Sequence, residues 1–151
     1  MGCCGGYSGG GGGTPAAPTP VPTWFPCLEF TFTDFTGFAA LVGDIQIYSL
    51  LSRGTIEGAV IKTKTAFAGP GVAALTFSVG LVGDLARILS PYDGLAAVSN
   101  TNFGDADELQ LINFGAATSI RLAAQATGAN LSVLTQGVGC LWLKGARLSA
   151  P

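Results

Sequence analysis

Residues 55–79 read TIEGAVIKTKTAFAGPGVAALTFSV, and this stretch decides the fold class. In an extended chain, Ala59, Ile61 and Phe67 fall on one face of the first half, whereas Lys62 and Lys64 fall on the other. Such alternation has the period of two that is typical of a half-buried β-strand. The first half is therefore predicted to form one long strand.

A turn and a second alternating run follow this strand. Residues 69–71 are Gly-Pro-Gly, a strong turn signal. After the turn, one face of the chain carries Ala73, Leu75, Phe77 and Val79, and the other carries Thr76 and Ser78. We expect the two runs to pair with each other as a β-hairpin.

The remainder of residues 27–151 has the same character. Further strands are expected at residues 28–33, 45–48, 109–114, 119–127 and 138–148. In residues 119–127 the pattern places Ile120, Leu122 and Ala124 inward and Arg121 and Gln125 outward. Helical signals are confined to a turn or two at residues 34–41 and 83–89. About eight short strands with regular turns favour an all-β antiparallel sandwich, with a jelly roll as the expected connectivity.

Residues 1–26 differ from this body. They contain eight glycines and five prolines, and residues 14–22 favour extended polyproline II. Two interpretations stay open: a disordered leader, or an extended arm that folds onto neighbouring subunits. Two adjacent aromatic residues near the end of this segment favour the arm. The residues expected to bind a partner are Tyr7, Pro15, Pro18, Pro20, Pro22, Trp24 and Phe25.

The composition limits the classes of function. Charged residues make up 11% of the chain, against about 25% in a typical soluble protein, so we expect neighbouring subunits to cover much of the surface. The net charge of −2 does not indicate a basic surface of the kind that binds nucleic acid. The absence of histidine excludes Ser-His and Cys-His catalysis and most transition-metal sites. The sequence predicts neither a transmembrane helix nor a signal peptide.

Four cysteines stand at positions 3, 4, 27 and 140, and their spacing does not match a zinc site. Cys140 lies beside Leu141 and Trp142, so a buried structural thiol is the expected role. Cys27 has two candidate partners, Cys140 and a neighbouring chain, and the sequence does not choose between them.

Short motifs give three further hypotheses, each weaker than its structural alternative. Residues 1–4 resemble an acylation signal but lack the Ser or Thr at position 6 and a basic cluster. Residues 6–10 match G-x-S-x-G by glycine content alone, because the required strand, helix and histidine are missing. Residues 104–108 cluster three carboxylates, which a solvated turn explains better than a calcium loop. We therefore expect no membrane anchor, catalytic residue, cofactor or metal.

Enzymatic activity would require a hydrolase that works with carboxylates alone. The candidate carboxylates are scattered along the chain and comprise Asp34, Asp44, Glu57 and Asp84. We expect Glu57 and Asp84 to serve strand faces and turns, and the protein not to be an enzyme.

Five segments between Thr31 and Leu148 share a further pattern: residues 58–69, 75–80, 115–122, 127–131 and 137–143. Through these segments the chain resembles a family of small phage virion proteins, including capsid decoration and tail-fibre-like β-sandwich proteins. These segments are strand patterns rather than catalytic signatures. The resemblance implies a structural protein of the virion and offers no catalytic residues.

Composition and resemblance together predict a capsid decoration or cement protein. It would form a homo-oligomer, expected to be a trimer, on the phage head and clamp the major capsid protein or other virion subunits through residues 1–26. The alternative is a tail-fibre, spike or head-fibre module that binds a host glycan or receptor. In that case Tyr92 and Phe103 are the expected stacking residues.

Overall fold

The computed structural model describes residues 23–95, 101–103 and 116–149. These residues form eight strands: β1 Thr23–Trp24, β2 Leu28–Thr31, β3 Val42–Ala68, β4 Ala74–Leu81, β5 Asp84–Asp93, β6 Thr101–Phe103, β7 Thr118–Thr127 and β8 Gln136–Ser149. The helical elements of the described residues are two 3-10 turns, Phe32–Asp34 and Leu131–Val133. In these ranges no helix has the length and apolar character needed to cross a membrane.

The strands pair antiparallel throughout and fold into two packed layers. The hydrogen-bonded order is β1-β8-β3-β7-β4-β5, with β2 also on β8 and β6 also on β3. We call β5, β4, β7 and residues 42–50 of β3 layer A, and β1, β2, β8, β6 and residues 55–68 of β3 layer B. The predicted all-β antiparallel sandwich is confirmed, and its jelly-roll connectivity stays a prediction.

Strand β3 joins the two layers because it bends. A straight strand of 27 residues would extend roughly 90 Å, whereas a compact chain of this length has a radius of gyration of about 15 Å. The register of β3 shifts once against β7, between Gln46 and Tyr48, and four times against β8. Such irregularities bend a strand and increase its twist. The shift at Gln46 also explains why the adjacent Ile47 and Tyr48 are both buried.

The core between the layers centres on four phenylalanine rings. Phe30 and Phe67 come from layer B and Phe77 from layer A, while Phe35 follows the first 3-10 turn. The Phe77 ring centroid lies 5.2 Å from that of Phe30, 5.6 Å from that of Phe35 and 4.7 Å from that of Phe67. These separations are typical of favourable aromatic pairs, so the cluster ties the layers together.

Two glycines of β8 make room for this cluster. A Cβ atom at Gly139 would overlap the ring of Phe30, and one at Gly137 would overlap the ring of Phe67. Both rings therefore approach the backbone of β8 at positions where a side chain would exclude them.

The turn at residues 69–71 forms as predicted, but the hairpin around it does not. Gly69, Pro70 and Gly71 form a turn closed by a hydrogen bond from the Val72 amide to the Gly69 carbonyl at 3.2 Å, with Gly71 at φ +76°. Strand β3 then pairs with β8, β7 and β6, whereas β4 pairs with β7 and β5. The turn carries the chain from layer B to layer A, so the two runs face one core from opposite layers.

The helical signal at residues 83–89 is also corrected. Residues 84–93 form β5, which pairs with β4 around a turn at Val82 and Gly83. The register of this pair shifts twice, and Ile88 and Leu89 are both buried. The expected strand at residues 109–114 lies outside the described residues.

Candidate interaction surfaces

The last residues of the predicted arm are joined to the body. Thr23 pairs with Gly145 of β8 and Trp24 pairs with Lys144. The Phe25 amide donates a hydrogen bond to the Leu143 carbonyl at 2.8 Å. The strand pairing of the described body thus begins at Thr23, four residues before the boundary expected from composition.

Phe25 and Trp24 have different surroundings. The ring of Phe25 is half-buried against Tyr48, with centroids 5.8 Å apart. Trp24 is 54% exposed. Its ring reaches across β8 toward Gly58, and a Cβ atom added to Gly58 would lie 3.6 Å from that ring. Phe25 therefore anchors this segment, and Trp24 offers an aromatic surface to solvent. We call Thr23–Phe25 the arm root.

Cys27 and Cys140 form a disulfide immediately after the arm root. Their Cα atoms are 5.6 Å apart, within the range that a disulfide bridges. Cys140 is fully buried in β8, whereas Cys27 is exposed. The bond connects the chain that leaves the arm root to the strand that already holds it.

The side chain of Tyr48 packs against Phe25 of the arm root. Its side chain is buried, and desolvation raises the pKa of its phenol above the ordinary value of 10.0. The phenol is therefore neutral at physiological pH, and the apolar contact with the Phe25 ring involves no charged group.

The outer face of layer A contains a trough of about 560 Å³. Its floor consists of outward-facing residues of β7 and β4: Arg121, Ala123, Gln125, Thr76 and Ser78. One wall is the beginning of β3, at Val42 and Asp44, and the other is the β4–β5 turn with β5. The sequence predicted the outward direction of Arg121, Gln125, Thr76 and Ser78 correctly. The sequence did not predict the trough, because the trough forms only when β3 pairs with β7 and β7 pairs with β4.

An ion pair closes one side of the trough. The guanidinium of Arg121 donates through two nitrogens to Oδ1 of Asp44, across the β3–β7 pair. Both side chains are partly exposed. Because the charges neutralise each other, the trough is polar at this point without a large net charge. The ion pair gives Asp44 a structural role that links β3 to β7.

The expectation that Tyr92 turns its ring to solvent is corrected. Tyr92 is 6% exposed and belongs to the core, where the Thr63 hydroxyl donates to its Oη at 3.3 Å. The bulged register of β5 turns its side chain inward. Phe103 pairs with Val60 through β6, and its side chain lies outside the described part of the chain. The ring of Tyr92 is therefore not available for stacking from solvent.

Several predicted sites fall outside the described residues. They are Tyr7, Pro15, Pro18, Pro20 and Pro22, the motifs at residues 1–4 and 6–10, and the acidic residues 104–108. Within residues 23–95, 101–103 and 116–149, no three His, Cys, Asp or Glu side chains come close enough to hold a metal ion. Lys64 contacts Glu29 at 2.6 Å and Lys144 contacts Glu57 at 3.1 Å, so both lysines have partners within the chain.

Comparison with known proteins gives a likeness of fold. No family model matches the sequence, and no curated protein matches it. A solved structure that shares the fold is a chain of the cyanophage Pam1 capsid asymmetric unit, at 16% sequence identity and a TM-score of 0.58. The alignment covers 92% of this chain and 96% of that one. At this identity the likeness establishes a shared fold and no more.

Proposed function

We propose that the protein is a structural subunit of a phage virion, a decoration or cement protein on the head. The observation that carries the proposal is the shared fold with a chain of a cyanophage capsid asymmetric unit. Because 92% of one chain aligns with 96% of the other, the likeness spans a whole subunit of similar size. The low charge content independently favours a surface that neighbouring subunits cover.

The described surface supports assembly with further copies. Large apolar side chains exposed on the body are Trp24, Leu41, Val42, Leu51 and Val82. Trp24 belongs to the arm root on layer B, whereas Val42 and Val82 line the trough on layer A. Two separate apolar surfaces suit a head-to-tail contact that closes into a ring, as in the expected trimer.

The arm supplies the clamp in this proposal. Residues 1–22 carry no charged side chain, and the prolines in residues 14–22 reduce the entropy lost when the segment is ordered. Many weak contacts, repeated by symmetry, add to a large avidity. Three attachments hold the base of the arm to the body: the pairing of β1 with β8, the Phe25–Tyr48 contact and the Cys27–Cys140 bond. A force on the arm would reach the body through them.

The decisive experiment locates and counts the protein on intact particles. Antibody labelling in the electron microscope is combined with quantitative gel densitometry, and hundreds of copies over the head are expected. A handful of copies at the tail or at fibre tips would replace this proposal with the attachment alternative, and complete absence from particles would refute a virion role.

A truncation then tests the arm. Removal of residues 1–22 leaves the arm root paired with β8, so the body is expected to keep its fold and lose its binding to shells. Ala117→Ser in the full chain, at an exposed position outside the arm root and the trough lining, is the control and is expected to bind shells normally. Unchanged shell binding by the truncated chain would contradict the clamp.

A further inference from the structure

On the floor of the layer A trough, residues of β3, β7 and β4 that pair with one another form rows across the strands. In one row Val42 pairs with Gln125, which pairs with Thr76. In the next row Asp44 pairs with Ala123, which pairs with Ser78. The side chains at the centre of the floor are therefore small, and hydrogen-bonding groups lie on both sides of the centre.

The rim of this trough carries exposed apolar side chains, with the exposed carboxylate of Asp84 beside them on the β4–β5 wall. Val42 is 47% exposed and Val82 is 69% exposed, on opposite walls. Leu85 and Pro91 extend the wall formed by β5. None of the described lining residues is aromatic, which disfavours a sugar that binds by ring stacking. This surface suits an uncharged, narrow chain with small apolar groups and available carbonyl oxygens.

Residues 14–22, TPAAPTPVP, have this chemistry. All nine residues are uncharged, and their side chains are small and apolar or carry a hydroxyl. In polyproline II the backbone makes no internal hydrogen bonds, so its carbonyls are free to accept from Gln125, Thr76 and Ser78. Its four prolines bring no backbone N–H that would need an acceptor.

The dimensions also agree. Nine residues of polyproline II extend about 28 Å. The floor of the trough runs along β4 from Thr76 to the turn at Val82, a distance of about 20 Å at the rise of a strand. The segment is therefore long enough to fill the trough and still connect to the rest of its chain.

Chain continuity indicates which copy supplies the segment. Pro22 is bonded to Thr23, which pairs with Gly145 at the outer edge of layer B. The trough lies on the outer face of layer A, and its lining, as far as the structure describes it, includes no residue of β1, β2 or β8. Thr23, to which the segment is bonded, therefore lies on layer B and not at the trough of its own body, which favours the trough of another molecule as the receiving surface.

We propose that the trough binds residues 14–22 of a second copy of this chain, so that each subunit holds the arm of its neighbour. This inference rests on the proposed arm and names the surface that receives it. The contact is head-to-tail, and repetition around an axis closes a ring.

Photo-cross-linking in the full chain tests this contact. A photoreactive benzophenone amino acid replaces Val21, and this protein is mixed with heavy-isotope-labelled chains that carry no photoreactive group. After irradiation, mass spectrometry identifies the cross-linked peptides. We expect cross-links between the light residue 21 and heavy peptides from β4, β5 or β7. Cross-links only within the light chain, or no cross-link to any copy of this chain, would overturn the inference.

Substitutions in the trough provide the specificity control. Ala123→Arg places a long side chain in the floor and is expected to reduce the intermolecular cross-link about tenfold, which corresponds to about 1.4 kcal/mol. Thr76→Arg on the adjacent strand repeats the test if the first variant unfolds. Ala117→Arg makes the same chemical change at an exposed position outside the lining and is expected to change the yield less than about twofold. Equal yields for all three variants would show that the segment binds elsewhere.

The outcome separates this inference from the proposed function. If the protein covers phage heads and residue 21 cross-links only to a shell subunit, the trough assignment fails while the decoration role stands. If the cross-link to the trough forms and the protein is absent from particles, the arm exchange stands and the virion role fails.

Discussion

Replacement of Phe77 by alanine is expected to cost about 4 to 5 kcal/mol of the free energy of unfolding. Phe77 is fully buried in β4 and contacts the rings of Phe30, Phe35 and Phe67. It is the layer A member of the four-ring cluster, and its loss removes the direct aromatic contact between β4 and layer B.

The magnitude follows from cavity and ring contributions. A buried Phe→Ala substitution costs about 3 to 5 kcal/mol through lost transfer free energy and the residual cavity. Each aromatic pair adds about 0.5 to 1.5 kcal/mol beyond buried area, and Phe77 has three such pairs within 5.6 Å. The upper part of the range is therefore expected. For a chain of this size it lowers Tm by about 10 to 20 °C.

Equilibrium urea denaturation of the full chain measures the effect. Tryptophan fluorescence and far-ultraviolet circular dichroism are followed at one protein concentration, because oligomerisation makes apparent stability concentration-dependent. Phe77→Leu retains much of the apolar volume and is expected to cost about 1 to 2 kcal/mol. Val82→Ala, at an exposed position, is expected to change stability by less than about 0.5 kcal/mol. A loss below about 2 kcal/mol for Phe77→Ala, with an unchanged m-value, would refute the argument that this cluster holds the layers together.

Three other measurements address separate features. Cys27→Ser removes a bond that closes a loop with a sequence separation of 113, and the chain-entropy model gives a loss of about 4.8 kcal/mol in the free energy of unfolding. Reductant is expected to destabilise the wild type and to leave the variant unchanged. A wild type whose stability does not respond to reductant would contradict the bond. Gly139→Ala forces a Cβ against a buried ring and is expected to cost about 1 to 3 kcal/mol, whereas Gly37→Ala, with no atom within 4 Å, is the silent control in the same denaturation assay. Burial raises the pKa of Tyr48 above 10.0, so the stability that its neutral phenol contributes is fully present below pH 10 and is lost as pH rises through the folded-state pKa. Tyr48→Phe is therefore expected to reduce the loss of stability above pH 10. An equal loss in the variant and the wild type would show that Tyr48 is not its source.

The faces of the strands were predictable because alternation depends on local geometry alone. Ile120, Leu122 and Ala124 are buried in β7 as expected, and Lys62 and Lys64 are exposed. Successive side chains of a strand point to opposite sides whatever the strand pairs with. An apolar face therefore identifies the side toward the core without identifying the partner strand.

Strand pairing was less predictable. An apolar run, a Gly-Pro-Gly turn and a second apolar run look the same whether the strands pair in one layer or face each other across two. In β5 the positions of Leu85, Ile88 and Leu89 follow the spacing of a helix face, because shifts in the β4–β5 register bury two adjacent residues. Irregular register removes the period of two by which a strand is recognised.

The candidate surfaces depend on pairing, and their residues are far apart in sequence. Asp44 and Arg121 are separated by 77 positions and meet only because β3 pairs with β7. The same dependence explains the error at Tyr92, whose side-chain direction is set by the bulged pairing of β5 with β4. The arm root gave a clearer signal, since Trp24 and Phe25 are adjacent aromatics beside a proline-rich segment.

The arm root and the trough lie on different layers, and β3 connects them mechanically. Residues 55–68 of β3 pair with β8, which holds the arm root and Cys140, while residues 42–50 pair with β7 in the floor of the trough. Tension on an arm therefore passes from β1 and the disulfide to β8, then along β3 to the surface proposed to hold the neighbouring arm. The four-ring cluster stiffens this path, because close-packed interiors transmit strain. In a closed ring of subunits the same path repeats in every copy, so a pull on one arm is distributed around the assembly. If the proposed arm exchange on phage heads is right, Phe77→Ala is expected to reduce the force that the bound protein withstands by more than it reduces binding at rest.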